Sequence, residues 1–273
     1  MTATAPGRLV LLGHPVSHSL SPAFQNAALR AAGIGLSYEA VDVSPGRLAA
    51  ELGRLRLVRG AGNVTVPHKQ AIARLCDRLT PLAERLGAVN TFWHEGGVLV
   101  GDNTDVAGFA AMADSLGVEP AGAVVACLGA GGAASAACAV VDGWPGARIT
   151  LWSRAMERAR ELQLRFPAVV RCAHTPAEAL DGATLVVNAT PLGMRDESGP
   201  VDVALLPRDA RVMDLVYRPG ETRWVRAARA AGHRAADGRE MLLRQGAAAF
   251  ARWFGVAPDL AVMREALEAA TSS

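Results

Sequence analysis

Lysine is nearly missing from this chain. Lys69 is the single lysine in 273 residues, and the other 27 of its 28 basic residues are arginine. Asparagine is scarce as well and occurs at Asn26, Asn63, Asn90, Asn103 and Asn188. Arginine, alanine and glycine abound. Drift toward GC-rich codons would produce this bias, a hypothesis that reading the gene's codons would test. Under such drift, arginine can replace a lysine that only carries charge. A lysine that stays is a candidate for chemistry closed to arginine, because lysine can give up its proton and arginine cannot.

The other absences exclude whole classes of function. The four cysteines, Cys76, Cys127, Cys138 and Cys172, form no CxxC pair, and three lie in apolar runs. They read as buried reduced thiols rather than disulfides or metal ligands. The histidines show no HxxxH spacing and no mixed Cys/His cluster, so no catalytic metal is expected. No apolar run approaches the roughly 20 residues that span a bilayer. The N-terminal "MTATAPGRLVLLG" lacks a basic region before a long apolar core, so no signal peptide is expected. Net charge is only +2 and the arginines are scattered, which gives no footprint for nucleic acid. The expectation is a cytoplasmic protein with a small-molecule partner, neither membrane-bound nor nucleic-acid-bound, and either monomer or homodimer.

What is present is an alternation of strand and helix. "RLVLLG" reads as a short buried strand. "SPAFQNAALRAAG" reads as a helix with Ser21 as N-cap and Pro22 at its first helical position. "LSYEAVDV" alternates like a strand, "SPGRLAAELGRLRLV" reads as a helix, and "GAGNVTV" reads as a strand with Pro67 starting the next helix. The alternation restarts at "AVVACLGAGGAASAACAVV" and continues through "RITLWSR", "TLVVNAT" and "RVMDLVY", before a helical tail from Arg239. This is an α/β pattern of parallel units, with a boundary near Asp105–Gly108.

"LGAGGAA" fits G-x-G-x-x-G/A, after a strand and opening a helix. Gly129 would make the tight turn, Gly131 would admit a pyrophosphate, and Ala134 would keep helix and sheet close. Ala130, Gly132 and Ala133 complete the loop. The second strand ends in "LWSRAMER", with no acid before Arg154. A carboxylate there would hold the ribose 2′-hydroxyl of NAD; Ser153, Arg154 and Arg158 suit the 2′-phosphate of NADP(H).

The first half carries clusters of hydroxyls and amides in "GHPVSHSLSPAFQN", "GNVTVPHK", "GAVNT" and "GDNTD". They fall at strand ends and loops, where α/β sheets bind ligands, and their chemistry suits a small polyhydroxylated substrate. Lys69 falls in the first turn of a helix, a poor place for a cation beside the positive end of the dipole. Helix stability therefore does not account for it.

These motifs, with "GAGGAA", "NAT", "DLVYRP" and "DGREMLLRQGAAAFARWFG", stand in the order found in the shikimate dehydrogenase family, which the chain resembles from about Gly13 to Gly255. The resemblance implies an N-terminal α/β substrate domain over residues 1–105 and a Rossmann-type NADP-binding domain over 106–237. It implies that helices of 238–273 return to the substrate domain and that the active site lies in a cleft between domains. It implies NADPH-dependent, reversible reduction of 3-dehydroshikimate to shikimate in aromatic amino-acid biosynthesis. The alternatives are a quinate/shikimate dehydrogenase using NAD and a catalytically silent NADP-binding regulator. By the same resemblance, Lys69 and Asp105 form the catalytic pair. Ser19, Ser21 and Tyr217 bind the substrate carboxylate, and Asn63, Thr65, Asn90 and Gln245 its ring hydroxyls. Asn188 and Thr190 lie by the nicotinamide, and Gly238 belongs to the cofactor site. Three features depart from the family's habit: Gln25 stands where histidine is common, "WSRA" replaces the frequent asparagine-arginine-threonine so that Ser153 and Ala155 offer fewer contacts, and Gly246 stands where alanine is frequent.

Overall fold

The computed structural model describes residues 6–271. The chain divides into two compact units, one holding residues up to Thr104 together with those from Gln245 onward, the other Asp105 to Arg244. Each is an α/β unit built on a six-stranded sheet.

The first unit runs β1 (Leu9–Gly13), α1 (Ser21–Ala31), β2 (Tyr38–Asp42), α2 (Leu48–Leu57), β3 (Ala61–Val64), α3 (Lys69–Ala73), β4 (Arg78–Leu79), α4 (Pro81–Leu86), β5 (Thr91–Glu95) and β6 (Val98–Asp102). The strand order is β2-β1-β3-β5-β6-β4. Leu9 to Leu12 are fully buried, because parallel strands covered on both faces leave no wet side. The sheet is not purely parallel: β5 runs against both β3 and β6. The expected strand–helix alternation missed this hairpin. Its turn is Gly96–Gly97, with φ of +58° and +82°, a two-residue connection whose left-handed backbone matches strand twist. Alternating residues around Gly-Gly were the signal for it.

Two local expectations also shift. Leu20, not Ser21, takes the N-cap position of α1, and Ser21 is its first helical residue. Pro67 does not open α3, which starts at Lys69 after His68.

The second unit runs α5 (Asp105–Ser115), β7 (Val124–Leu128), α6 (Gly132–Asp142), β8 (Arg148–Trp152), α7 (Met156–Arg165), β9 (Val170–Cys172), α8 (Pro176–Leu180), β10 (Leu185–Asn188), β11 (Arg211–Asp214), α9 (Arg223–Ala230) and β12 (Ala235–Ala236). Its order is β12-β11-β10-β7-β8-β9, every pair parallel. This is the doubly wound order, with its switch point between β7 and β10.

Two helices close the chain, α10 (Arg239–Phe254) and α11 (Leu260–Thr271). From Gln245 onward α10 belongs to the first unit. There Gln25 Nε2 donates to the Gly246 carbonyl at 2.9 Å, Trp253 Nε1 donates to Thr91 Oγ1 at 3.1 Å, and Arg252 meets buried Asp102 at 2.9 Å. A Cβ on Gly246 would come within 2.4 Å of the buried Phe24 ring, so the residue there must be glycine for α10 to sit this close to α1. α11 packs on α1. Among the described residues no helix is long and apolar enough to cross a membrane.

Candidate active site

In the first unit the polar motifs converge at one end of the sheet. Pairing of Leu12 with Val64 and of Asn63 with Thr91 brings three segments together: the loop after β1, the loop after β3 and the residue before β5. Strand ends expose backbone that the sheet no longer uses, which is why ligands bind there. Lys69 is half-buried at the start of α3. Its carbonyl accepts from the Val89 amide at 2.8 Å. On its other side His68 is buried, with Nε2 2.6 Å from the Val43 carbonyl. A carbonyl only accepts, so the proton sits on Nε2. The backbone that carries the lysine is thus tied to two neighbouring segments.

Amides surround it. Asn63 Oδ1 accepts from the Tyr38 hydroxyl at 2.8 Å, and its Nδ2 donates to the Asn90 carbonyl at 3.1 Å. Asn90 Oδ1 accepts from the Thr104 amide at 2.7 Å and the Thr104 hydroxyl at 3.2 Å, while Asn90 Nδ2 donates to Gln245 Oε1 at 3.3 Å. Asn63, Asn90 and Gln245 are all buried. A buried polar group must be satisfied, so such a network holds one geometry. Thr104, which the sequence reading passed over, is therefore a holder of Asn90. Asp105 follows it directly, buried, as the first residue of α5, where a carboxylate meets the favourable end of the dipole.

The hydroxyls divide by role. Ser19 Oγ accepts from the Ser21 amide at 3.2 Å, so it helps start α1. The side-chain hydroxyls of Ser21 and Thr65 have no hydrogen-bond partner among the described residues. Both remain available to a ligand.

The second unit carries the glycine loop. Gly129 adopts φ +121°, and a Cβ on it would lie 2.6 Å from the Ala189 carbonyl oxygen, so both backbone and space require glycine. Gly131 is the N-cap of α6 and supplies no capping side chain, leaving first-turn amides uncapped. A Cβ there would meet nothing within 4 Å: the loop opens onto space. Ala130 and Ala133 are half-buried, and Gly132 is exposed. Beyond β8, Ser153 Oγ accepts from the Ala155 amide at 3.2 Å. The side chains of Arg154 and Arg158 are exposed and have no hydrogen-bond or ion-pair partner among the described residues. An open glycine loop, uncapped helix amides and two unpaired arginines form a donor set that fits a phosphorylated dinucleotide.

The residues after β10 form a tight local hydrogen-bond network. Asn188 is fully buried. Its Nδ2 donates to Asp214 Oδ1 at 2.8 Å and to the Leu192 carbonyl at 3.2 Å; its Oδ1 accepts from the Thr190 amide at 3.0 Å and hydroxyl at 2.6 Å. All four hydrogen-bonding capacities are used. The Asn188 side chain ties Thr190 and Leu192 to Asp214. Gly238 is likewise enclosed: its amide donates to the Val216 carbonyl, and a Cβ would lie 2.5 Å from the Leu215 oxygen. Tyr217 is half-buried just past β11.

Asp214 escaped the sequence reading, although a carboxylate inside the apolar "RVMDLV" was a signal. Burial raises its pKa from 3.8 to about 6, against the lowering by bonds from Thr222, Val216 and Asn188; Asp237 adds to the rise. Between those values the folded chain holds a proton that the unfolded chain has lost. Its contribution to stability therefore falls as pH rises from about 4 to about 6. Relative to wild type, Asp214→Asn is expected to gain on the order of 2–3 kcal/mol between pH 4 and pH 7. Denaturant titrations at both pH values check this; a stability difference that does not move with pH would refute it.

Comparison with known proteins places these features in context. Residues 11–92 match the family described as "Shikimate dehydrogenase substrate binding domain", and residues 238–268 match "Shikimate 5'-dehydrogenase C-terminal domain". The chain is 43% identical over 283 residues to "Shikimate dehydrogenase (NADP(+))" of Symbiobacterium thermophilum, covering 98% of this chain and 96% of that one. The crystal structure of shikimate 5-dehydrogenase from Thermus thermophilus in complex with NADP(H) and shikimate superposes with a TM-score of 0.88 at 38% identity, covering 96% of this chain and 99% of that one. Quinate dehydrogenase from Corynebacterium glutamicum, solved in complex with NAD, gives a TM-score of 0.87 at 31% identity over 97% of this chain and 100% of the other.

Proposed function

Since the chain belongs to the shikimate dehydrogenase family, we propose that it catalyses the reversible NADPH-dependent reduction of 3-dehydroshikimate to shikimate, a step of aromatic amino-acid biosynthesis, in the cytoplasm. The observation that supports the reading is the lone lysine: Lys69 opens α3, just after the end of β3, where buried Asn63 is hydrogen-bonded to the Asn90 carbonyl.

The substrate is a carboxylated ring with several hydroxyls. Ser19 and Ser21, with Tyr217, bind its carboxylate. Asn63, Thr65, Asn90 and Gln245 bind its hydroxyls. The glycine loop of Gly129 to Ala133 and the first turn of α6 would hold the pyrophosphate, Ser153, Arg154 and Arg158 would hold the 2′-phosphate, Asn188 and Thr190 would border the nicotinamide, and Gly238 would belong to the same cofactor site. Bound NADPH supplies the hydride. The protein must supply a proton to the ketone oxygen as it becomes a hydroxyl. Lys69 Nζ donates that proton and, in the reverse direction, takes it back. Its charge steadies the oxygen while negative charge develops. Asp105 is the carboxylate partner that orients the ammonium group and relays the proton.

A second reading has one observation behind it, the full-length likeness to a quinate dehydrogenase solved with NAD. The absence of an acid at the end of β8 favours the first. Initial rates for shikimate and quinate, each with NADP+ and NAD+, discriminate. We expect kcat/KM to be highest for shikimate with NADP+ by at least about tenfold. Preference for quinate with NAD+ would replace the reading, and tight NADPH binding without turnover would leave a silent regulator.

A further inference from the structure

Three of the five scarce asparagines are joined through one tyrosine. Asn26, on α1, clamps the backbone of Tyr38: its Oδ1 accepts from the Tyr38 amide at 2.8 Å, and its Nδ2 donates to the Tyr38 carbonyl at 3.0 Å and the Pro22 carbonyl at 2.8 Å. The Tyr38 ring is buried and stacks on Trp253, with centroids 5.9 Å apart and an interplanar angle of 29°. Its hydroxyl donates to Asn63 Oδ1, and Asn63 Nδ2 donates to the Asn90 carbonyl.

The chemistry of these partners removes any ambiguity in the Asn63 amide. The Asn90 carbonyl can only accept, so the atom facing it is nitrogen. The oxygen then faces Tyr38, whose hydroxyl must donate. One Nδ2 hydrogen is left over, and Asn63 has no further partner among the described residues. A buried amide held from both sides thus offers one unspent N–H donor beside Thr65 and Lys69 in sequence.

We propose that Tyr38, clamped by Asn26, is a positioning residue for substrate selection: it locks the Asn63 amide so that Asn63 meets the substrate as a donor to a ring hydroxyl oxygen. The proposal rests on the reading of Asn63 as a substrate-binding residue. Without the tyrosine hydroxyl, Asn63 Oδ1 is buried without a donor, and the amide turns to find one, losing its aim.

Tyr38→Phe keeps the ring and its stack on Trp253 and removes only the hydroxyl. It is expected to raise KM for shikimate roughly tenfold and to reduce the thermal shift that shikimate induces. KM for NADP+ should stay unchanged, a split that general loosening of the fold would not produce. Asn63→Ala is expected to raise KM for shikimate as well, and adding Tyr38→Phe to it should cost nothing more, since the tyrosine acts through the amide. If Asn63→Ala leaves KM unaltered, Asn63 does not bind the substrate and the proposal falls with that placement. If Asn63→Ala is impaired but Tyr38→Phe is not, or if the two losses add, the positioning role of Tyr38 alone is overturned.

Discussion

Lys69→Arg is expected to lower kcat by roughly 100- to 10,000-fold, the range attributed to a positioned proton donor. The charge survives in this variant, and so does most of the length. What is lost is the ability to release a proton, because the guanidinium stays protonated throughout the working pH range. Lys69→Ala is expected to fall at least as far, since it also removes the cation that steadies the developing oxyanion. KM for NADPH should change little in either, because the cofactor's phosphates are assigned to other residues. Steady-state rates in both directions, with binding of NADPH measured separately, check this. Near-normal kcat in Lys69→Arg would reduce Lys69 to an electrostatic role and remove the proton transfer from it. The surrounding geometry makes the variant informative: His68 and the Lys69 carbonyl are held by Val43 and Val89 through ring and backbone atoms, which the substitution does not touch.

The second large effect is expected at the other end of the cofactor. Replacing Arg154 and Arg158 together by alanine should raise KM for NADPH by about 10- to 100-fold, from the loss of charge-assisted bonds to phosphate. KM for NADH should stay within a factor of about two, since that cofactor has no 2′-phosphate to lose contact with. Both arginines are exposed and have no carboxylate among the described residues to release. The substitution therefore removes phosphate ligands without breaking an internal ion pair. Exposure also means screening: the NADPH preference of the wild type should weaken as salt rises. Equal weakening toward both cofactors would place the 2′-phosphate elsewhere.

The candidate residues of the second unit were legible in the chain to different degrees. The glycine loop was readable almost atom for atom, because its requirements are local: φ of +121° at Gly129 and a bare N-cap at Gly131 follow from residue type within a few positions. Asn188 illustrates the opposite case. "NAT" marked it as a candidate at the cofactor site but gave no hint of its side-chain partners, Asp214 and Leu192. Whether an amide faces a ligand or a neighbouring strand depends on residues 26 positions away, which no local pattern encodes. Gly246 was a small departure in sequence and is a packing necessity in space, because Phe24 lies against it.

By itself the sequence determined the α/β class, the dinucleotide loop, the arginines beyond the second strand of that fold and the singular position of Lys69. Each depends on periodicity, on glycine's conformational freedom or on which side chain can lose a proton, and all of these are properties of residue type. Only the tertiary structure decided that one strand of the first sheet runs against its neighbours, that Thr104 holds Asn90, and that Asn26, Tyr38 and Asn63 form a single chain of hydrogen bonds. Those are matters of direction and partner. A buried donor or acceptor must find its counterpart wherever the fold brings one, and the counterpart can lie anywhere along the chain.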